Sequence, residues 1–210
     1  MSIENIIFIV KGVFFSLELM LGSIVIGLIL GTIFAIARNK NIMTRSINRL
    51  ISIIRGTPVI LQLGFFFFAF PIKLSITMAG IITFGLNSSA YIAEILRSSI
   101  DNLPKGQFEA AKTLQIPSYL MWRDIILPQV IANILPALIS ENIALLKETA
   151  LISTLGGMDL MRRAQSVSAE QFTYFGPLCV AGLSYYGLVL MIEFLGKKLE
   201  RKYAYYQKCQ

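Results

Sequence analysis

Five long apolar stretches, separated by shorter segments rich in charge, dominate the pattern of hydrophobic and polar positions along the chain. A helix needs ~20 mostly apolar residues to cross the hydrocarbon core of a bilayer. Residues 19–37 contain no charged side chain, and neither do residues 171–192. We therefore predict an all-α membrane protein with five transmembrane helices. Their approximate bounds are residues 6–37, 48–72, 74–97, 125–146 and 171–193.

The composition agrees with a membrane domain and narrows the possible chemistry. Hydrophobic residues make up 55% of the 210 residues and charged residues only 15%, against about 25% charged residues in a typical soluble domain. The spans leave too little chain for a second domain, so residues 1–210 are predicted to form one membrane domain. The sequence has no histidine and only two cysteines, Cys179 and Cys209, which excludes a histidine-based triad and disfavours a disulfide framework. We expect neither a catalytic site nor a metal site.

Positive charge is distributed unevenly between the two sides of the predicted helices. Lys and Arg near helix ends resist translocation, so the more basic side is expected to face the cytoplasm. Of the 19 Lys and Arg residues, 14 fall on one side, which places the N-terminus outside and the C-terminus in the cytoplasm. We assign the net charge of +7 to this topology rather than to nucleic-acid binding. Residues 1–10 carry Glu4 and no basic residue, so a cleaved signal peptide is not expected. The cytoplasmic set is Arg38, Lys40, Arg45, Arg49, Arg55, Arg97, Lys105, Lys112, Arg123, Lys197, Lys198, Arg201, Lys202 and Lys208.

Small residues recur every four positions along the first span, at Ser23, Gly27, Gly31 and Ala35. Such a ridge lets a neighbouring helix approach closely. Because glycine is common in membrane helices, we interpret the ridge as ordinary helix packing.

Residues 149–158 follow the fourth span. They are uncharged and end just before Asp159, but they are too few to cross a bilayer. Irregular backbone at membrane depth is tolerated only where protein or water contacts it. We expect this segment to enter the membrane partly, as an external cap over a cavity.

The cytoplasmic connection between the third and fourth spans, about residues 98–124, is unusually long, and long connections are often functional. Apolar residues including Phe108 and Leu114 predict a short helix with one apolar face, and Pro117 is suited to start a second one. From these residues alone, an interfacial helix resting on lipid headgroups and a docking site for a soluble partner are equally good interpretations.

Several motifs carry a resemblance to a known family. Residues 109–115 (EAAKTLQ), followed by residues 127–129 (LPQ), resemble the EAA loop of permease subunits of binding-protein-dependent ABC importers. More narrowly, the chain resembles the polar amino-acid permeases, such as those for histidine and glutamine. This narrower resemblance rests on residues 55–58 (RGTP), 91–94 (YIAE) and 145–149 (LLKET). A single Glu-Ala-Ala is common in helices, but these motifs in this order cover nearly the whole chain.

The resemblance implies a multi-pass subunit of the cytoplasmic (inner) membrane with several partners. It implies a second copy or homologue as a dimer partner, an extracytoplasmic amino-acid-binding protein, and cytoplasmic ATP-binding subunits. The chain has no G-x-x-x-x-G-K-[ST] phosphate loop, so we expect no cofactor of its own and expect a partner to bind ATP. It would pass a polar amino acid inward by alternating access.

The same resemblance assigns contact with the ATPase to the EAA loop. Glu109 would offer a carboxylate to a polar or basic partner, and Ala110 and Ala111 would let the helix sit close in a cleft. The hypothesis is motivated by the absence of any other evident burial partner for this helix. The predicted coupling residues are Glu109, Ala110, Ala111, Leu114 and Gln115.

Two residues depart from the family pattern. Gln115 replaces a usual glycine at the joint between the two short helices, where a left-handed conformation would cost a non-glycine residue ~1 kcal/mol. Either Gln115 accepts that cost or the turn takes another shape. Asp124 stands where a basic residue is more usual, which removes a positive charge and could alter the partner surface.

Polar and ionisable residues within spans are the candidates for the substrate pathway, since a charge at the membrane centre costs ~2.5–3.5 kcal/mol. A carboxylate could pair with the α-amino group of a substrate. Each candidate also has a structural explanation: Glu94 could pair with Arg97, Lys147 could extend to the surface, and Asn87 could bridge helices. The predicted pathway residues are Glu141, Glu94, Asn87, Lys147 and Glu148.

Two other functions fit the hydropathy. An ATP-independent carrier or channel would use the intramembrane acids as ion sites, but such carriers often contain paired repeats, which this chain lacks. An assembly or anchor protein would leave the long cytoplasmic connection unexplained. The transported amino acid is not set by the sequence; glutamine is the favoured guess, with arginine, histidine, glutamate and cystine open.

Overall fold

The structure, a computed structural model, describes residues 2–39 and 44–207, and every regular element within them is helical. Lys40 and Lys208 of the predicted cytoplasmic set lie outside the described residues. The helices are α1 (Ile3–Val10), α2 (Gly12–Asn39), α3 (Thr44–Gly56), α4 (Val59–Gly64, extended by a π-helical turn, Phe65–Ala69), α5 (Ile76–Asp101), α6 (Lys105–Thr113), α7 (Ser118–Leu120, extended by a π-helical turn, Met121–Ile126), α8 (Leu127–Glu148, extended by a 3-10 helix, Thr149–Leu155), α9 (Leu160–Gln171) and α10 (Phe175–Gln207).

Within residues 2–39 and 44–207, four stretches are long and apolar enough to cross a membrane: Ile3–Arg38, Ile76–Asp101, Ser118–Leu155 and Phe175–Tyr203. They match the predicted first, third, fourth and fifth spans, which confirms an all-helical membrane protein. The fifth span begins at Phe175 rather than at residue 171. The fourth continues without a break from α7, so the end of the connection between the third and fourth spans and the fourth span form one helical rod.

Helices α2 and α5 lie side by side and run in the same direction. A Cβ built on Gly27 would lie 3.2 Å from Ser88, and one built on Gly31 would lie 2.8 Å from Ile92. Residue numbers thus rise together along the two helices. A Cβ at Gly31 would also lie 2.9 Å from Ser89 O, so the helices could not stay this close with a larger residue there, whereas a Cβ at Gly27 would need only small shifts of its neighbours. Together with the burial of Ser23, these contacts confirm the interpretation of the small-residue ridge as helix packing.

Because α2 and α5 are parallel, the chain between them has to return across the bundle. Helices α3 and α4 make this return with a bend of 101°. Pro58 lacks an N–H and disfavours helical backbone at Thr57, which ends α3. Thr57 Oγ1 donates to Ile53 O at 2.9 Å, and Gln62 Nε2 donates to Ile54 O at 2.8 Å. The predicted second span, residues 48–72, is therefore bent, and side chains at the bend donate to carbonyl groups of α3.

Helix α8 runs antiparallel to α5. Ser99, late in α5, donates to the backbone oxygen of Val130, early in α8, whereas Asn87 contacts Glu148 at the other end. The hydrophobic clusters include one core at each end of the bundle. The end that holds α6 and α7, here the elbow end, is built around Leu103, Ile126, Val130 and Ile134. The opposite end, here the far end, is built around Leu19, Leu63, Phe84, Leu145, Leu146, Ile152 and Leu160.

Residues 149–158, which were predicted to enter the membrane partly as an external cap, lie at the far end of the bundle, and Thr149–Leu155 belongs to the candidate span Ser118–Leu155. Thr149–Leu155 continues α8 as a 3-10 helix, and its Ile152 is fully buried in the far-end core. Gly156 then ends it with a φ of +88°, a conformation that costs glycine little. Ile152 and the partly buried Leu151 and Leu155 of this segment therefore pack against the far-end core.

Helix α9 was not predicted. Its N-cap, Asp159, is fully buried and accepts hydrogen bonds from the backbone N–H groups of Met161 and Arg162 and from the Tyr185 hydroxyl at 3.0 Å. Burial raises the pKa of the Asp159 carboxyl, although these donors act in the opposite direction. The cap fixes α9 against α10 at the far end. The helix was not predicted because the sequence after residue 158 is mostly polar and the buried face of the helix is short.

The turn between α6 and α7 is left-handed at Gln115, with a φ of +53°. The Ile116 N–H donates to Ala111 O at 2.9 Å and the Gln115 N–H donates to Lys112 O at 3.0 Å, which together form a Schellman motif. Of the two possibilities raised by the sequence, the structure adopts the strained one. Gln115 accepts the cost of a conformation that suits glycine.

Replacement of Gly12 by alanine tests the far-end packing. A Cβ at this position would lie 2.6 Å from the backbone nitrogen of Leu160, which cannot move without shifting α9. We expect Gly12→Ala to lower the free energy of unfolding by ~1–3 kcal/mol. Gly182→Ala is the matched control, because no atom lies within 4 Å of its added Cβ. Thermal unfolding in detergent measures both; equal melting temperatures would contradict this packing.

Replacement of Gln115 by glycine should relieve the strain at the turn. We expect Gln115→Gly to stabilise the Schellman motif by ~0.5–1 kcal/mol, whereas Gln115→Ala retains the Cβ and should gain nothing. Hydrogen exchange of the Ile116 amide, which depends on the turn, measures the difference. Equal exchange in the two variants would show that the backbone is unstrained there.

Candidate functional site: the elbow and the α5–α8 interface

The elbow, residues 105–126, consists of α6, α7 and the π-helical turn that follows. One face of α6 is seated on the protein itself, because Phe108 and Ala111 pack toward the elbow-end core. The Phe108 and Trp122 rings meet edge to face with centroids 6.4 Å apart. The elbow is therefore fixed to the bundle by its own apolar residues.

The opposite face of α6 is exposed and contains most of the predicted coupling residues. Glu109, Ala110 and Gln115 are exposed, and Leu114 is 71% exposed despite its apolar side chain. Ala111 is only 2% exposed. The premise that α6 lacks a burial partner is thus wrong. Ala111, predicted to contact the ATPase, instead faces inward and packs α6 against the rest of the chain. The surface available to a partner is formed by Glu109, Ala110, Lys112, Thr113, Leu114 and Gln115.

A pair of glutamines joins the elbow to α8. Gln107 Nε2 donates to Gln129 Oε1 at 3.1 Å, and Gln129 Nε2 donates to Gln107 Oε1 at 2.9 Å. Gln129 also donates to Ile125 O at 2.9 Å. This reciprocal amide pair gives a structural role to the glutamine of the LPQ motif, which the sequence marked without explaining.

Asp124 forms an ion pair with its neighbour. Its carboxylate accepts from Arg123 Nε at 2.6 Å and from Arg123 Nη2 at 2.8 Å, and both side chains are exposed. The Arg123 guanidinium also lies 5.2 Å from the centroid of the Tyr119 ring. The sequence departure at Asp124 therefore neutralises a positive charge on the elbow surface.

Three of the predicted pathway residues lie at one interface, between α5 and α8. Asn87, only 3% exposed, donates through Nδ2 to Glu148 Oε2 at 3.3 Å. Glu141 lies seven residues before Glu148 and thus on the same face of α8, opposite Ser88 of α5. Two carboxylates and an amide accordingly line one side of a helix pair inside the apolar bundle.

The other two predicted pathway residues lie elsewhere. Lys147 is exposed, on a different face of α8 from Glu148. Glu94 accepts from Arg38 Nη1 at 2.9 Å and from Arg97 Nη2 at 2.5 Å, and Arg97 extends the network to Asp101 at 2.5 Å. The pairing of Glu94 with Arg97 is thus present, and Arg38, which the sequence did not point to, attaches α2 to α5 through the same carboxylate.

The bend between α3 and α4 also positions polar groups that the sequence analysis left without a role. The Arg55 guanidinium lies 5.0 Å from the centroid of the Tyr91 ring, and Gln62 Nε2 donates to Thr57 Oγ1 at 2.8 Å. The signal was available in residues 55–58, where Gly-Thr-Pro interrupts an apolar stretch.

Comparisons with known proteins agree with this architecture. Residues 23–205 match the family model described as binding-protein-dependent transport system inner membrane component. A protein of Rickettsia typhi that bears the provisional name glutamine transport system permease protein GlnP is 48% identical over 204 residues, covering 94% of each chain. The arginine transport system permease protein ArtQ of Bacillus subtilis is 39% identical, covering 96% of this chain and 94% of its own.

A solved structure supports the same assignment. The crystal structure of an amino acid ABC transporter with histidines contains a chain that superposes with a TM-score of 0.85 at 33% identity, over 93% of this chain and 94% of that one. Both the sequence and the fold therefore match over nearly the full length. The chain belongs to the binding-protein-dependent transport system inner membrane component family, as an amino-acid permease of the ABC transporter type.

Proposed function

We propose that this chain forms half of a membrane pore that imports a polar amino acid, with glutamine or arginine as the substrate. A second permease chain completes the pore, an external binding protein delivers the amino acid, and cytoplasmic subunits bind and hydrolyse ATP. The complex resides in the cytoplasmic membrane, with the elbow end inside. The chain itself binds no nucleotide and catalyses no reaction.

The observation that carries the proposal is the two-faced elbow. Phe108 and Ala111 fix α6 to the bundle, whereas Glu109, Ala110 and Leu114 project a second surface that the chain does not cover. An exposed apolar side chain beside a small residue and a carboxylate suits insertion into a shallow cleft of a protein partner. A fixed elbow can transmit displacement, because its inner face moves together with the bundle.

The α5–α8 interface supplies the proposed substrate site. Charged groups inside spans are costly and are retained mainly where they face a cavity or a partner. The carboxylates of Glu141 and Glu148 suit the ammonium group of an amino acid, and the Asn87 amide can both donate and accept. Glutamine and arginine share that ammonium group, so one site accommodates either.

The coupling of transport to ATP separates this function from its rival. An ATP-independent carrier has no need of an anchored elbow with an uncovered outer face. We therefore favour ATP-driven transport over a carrier or a channel. Uptake into vesicles that contain the chain, its binding protein and its ATPase should require ATP and persist after treatment with an ionophore.

Replacement of Ala110 by tryptophan tests the coupling surface. The added ring would project from the exposed face of α6, so folding should be unaffected while contact with the ATPase is blocked. We expect transport and substrate-stimulated ATPase activity to fall at least tenfold, a loss of ~1.4 kcal/mol or more in coupling. Ala111→Trp is the comparison variant: because Ala111 is buried, it should lower the melting temperature as well. Normal transport by Ala110→Trp would contradict the proposed contact.

Replacement of Glu148 by glutamine tests the substrate site. Loss of the negative charge should weaken interaction with the substrate ammonium by ~1.5–3 kcal/mol, which reduces uptake by about tenfold to a hundredfold at subsaturating substrate. Glu141→Gln should act in the same direction. Ser140→Ala is the control. The Ser140 hydroxyl is exposed, donates only to Pro136 O, and lies on a different face of α8 from the two glutamates. Normal uptake kinetics in both glutamate variants would remove the α5–α8 interface from the pathway.

A further inference from the structure

A polar chamber opens where α3 breaks against α5. Two adjoining cavities of about 470 and 390 Å³ share Arg55, Tyr91 and Glu94. The larger one also reaches α8. We refer to the larger cavity as the break chamber, and its polar lining is formed by Arg55, Tyr91, Glu94, Ser98, Ser99, Asn102 and Asn133. Its volume is ample for a single amino acid.

The charges of the break chamber are unbalanced. Both carboxylate oxygens of Glu94 are already engaged, one by Arg38 and the other by Arg97. Arg55 instead stacks on the Tyr91 ring, and among the residues that the structure describes no carboxylate lies within ion-pair distance of it. The guanidinium is therefore held in place by a ring while its N–H donors remain available to an anion.

The break chamber lies beside the proposed substrate site but closer to the elbow end. Tyr91 and Glu94 follow Asn87 by four and seven residues in α5. At a rise of 1.5 Å per residue, the chamber lies about 6–10 Å further along the helix. A solute that leaves the α5–α8 interface toward the elbow end would reach Arg55 next.

We propose that the break chamber is a second amino-acid site, in which the Arg55 guanidinium binds the α-carboxylate of the transported substrate on its way to the cytoplasm. This inference rests on the proposed function, since it takes the same amino acid as its ligand. The two sites recognise opposite ends of the zwitterion: Glu148 and Glu141 suit the ammonium group, and Arg55 suits the carboxylate. The Asn102 and Asn133 amides add neutral hydrogen-bonding groups for a polar side chain.

The neutral part of the lining favours an amino acid over a phospholipid headgroup. A lipid phosphate would place acyl chains beside the chamber, yet most of the neutral lining residues from α5 and α8 are serines and asparagines, with Ile95 and Ala137 as the apolar ones. Amide and hydroxyl groups are suited to a small polar solute. The headgroup is therefore the alternative that the experiment has to separate.

The test compares ligands with and without an α-carboxylate. The transporter complex in phosphatidylcholine nanodiscs is titrated with L-glutamine and L-arginine, and with their α-carboxamides. We expect Arg55→Gln to weaken binding of the amino acids by at least about tenfold and to leave the weaker binding of the carboxamides unchanged. Arg55→Lys keeps the charge but loses the paired donors, so its amino-acid affinity should lie between those of the wild type and Arg55→Gln. It replaces Arg55→Gln in the test if that variant does not fold.

Arg49→Gln is the matched control, because Arg49 is exposed on α3 and lines neither cavity. Amino-acid affinity of Arg55→Gln equal to that of the wild type would overturn the inference. Loss of a copurified anionic phospholipid with unchanged amino-acid affinity would also overturn it, in favour of a lipid site. Absence of ATP-dependent uptake by the wild type would contradict the proposed function itself. Normal wild-type uptake, together with unchanged amino-acid affinity in Arg55→Gln, would contradict only the inference about the break chamber.

Discussion

The fold depends on one constraint: backbone N–H and C=O groups inside a bilayer need partners within the protein, because lipid offers none. Continuous helices meet this requirement along α2, α5, α8 and α10. The bend between α3 and α4 would violate it, except that Thr57 and Gln62 donate to the carbonyl groups that the break leaves behind. Two polar side chains thus satisfy carbonyl groups at a change of direction of 101°.

The bend determines what surrounds it. Because α3 and α4 return the chain, α2 and α5 can pack in parallel, and Gly27 and Gly31 let them approach closely. The parallel pair in turn brings Arg38, at the end of α2, to the Glu94 carboxylate of α5. The ion-pair network, the break chamber and the seat of the elbow therefore all gather at one end, while capped short helices close the other.

The sequence predicted what depends on local pattern. Apolar length located the spans, and the mixture of apolar and polar residues after residue 105 located the elbow. It could not decide that Ala111 faces inward and Ala110 outward, because two adjacent alanines are identical until Phe108 and Trp122 fix the rotation of α6. The pairing of Glu94 with Arg97 could be anticipated from their spacing, but Arg38 belongs to another helix 56 residues earlier. Helix α9 was missed because its buried face, Leu160, Ala164, Val167 and Ser168, is short and lies within a mostly polar sequence.

Helix α8 connects the elbow to the proposed substrate site at the α5–α8 interface. Gln129, near its start, is hydrogen-bonded to Gln107 of the elbow, and Glu148, at its end, contacts Asn87. The two glutamines bond through both of their amides, so the elbow cannot shift relative to this helix without breaking two hydrogen bonds at once. An ATPase that displaces the elbow would therefore displace the same helix that holds Glu141 and Glu148. Coupling between the elbow and the proposed substrate site would need no chain of intermediaries, because one helix of about 30 Å links them directly.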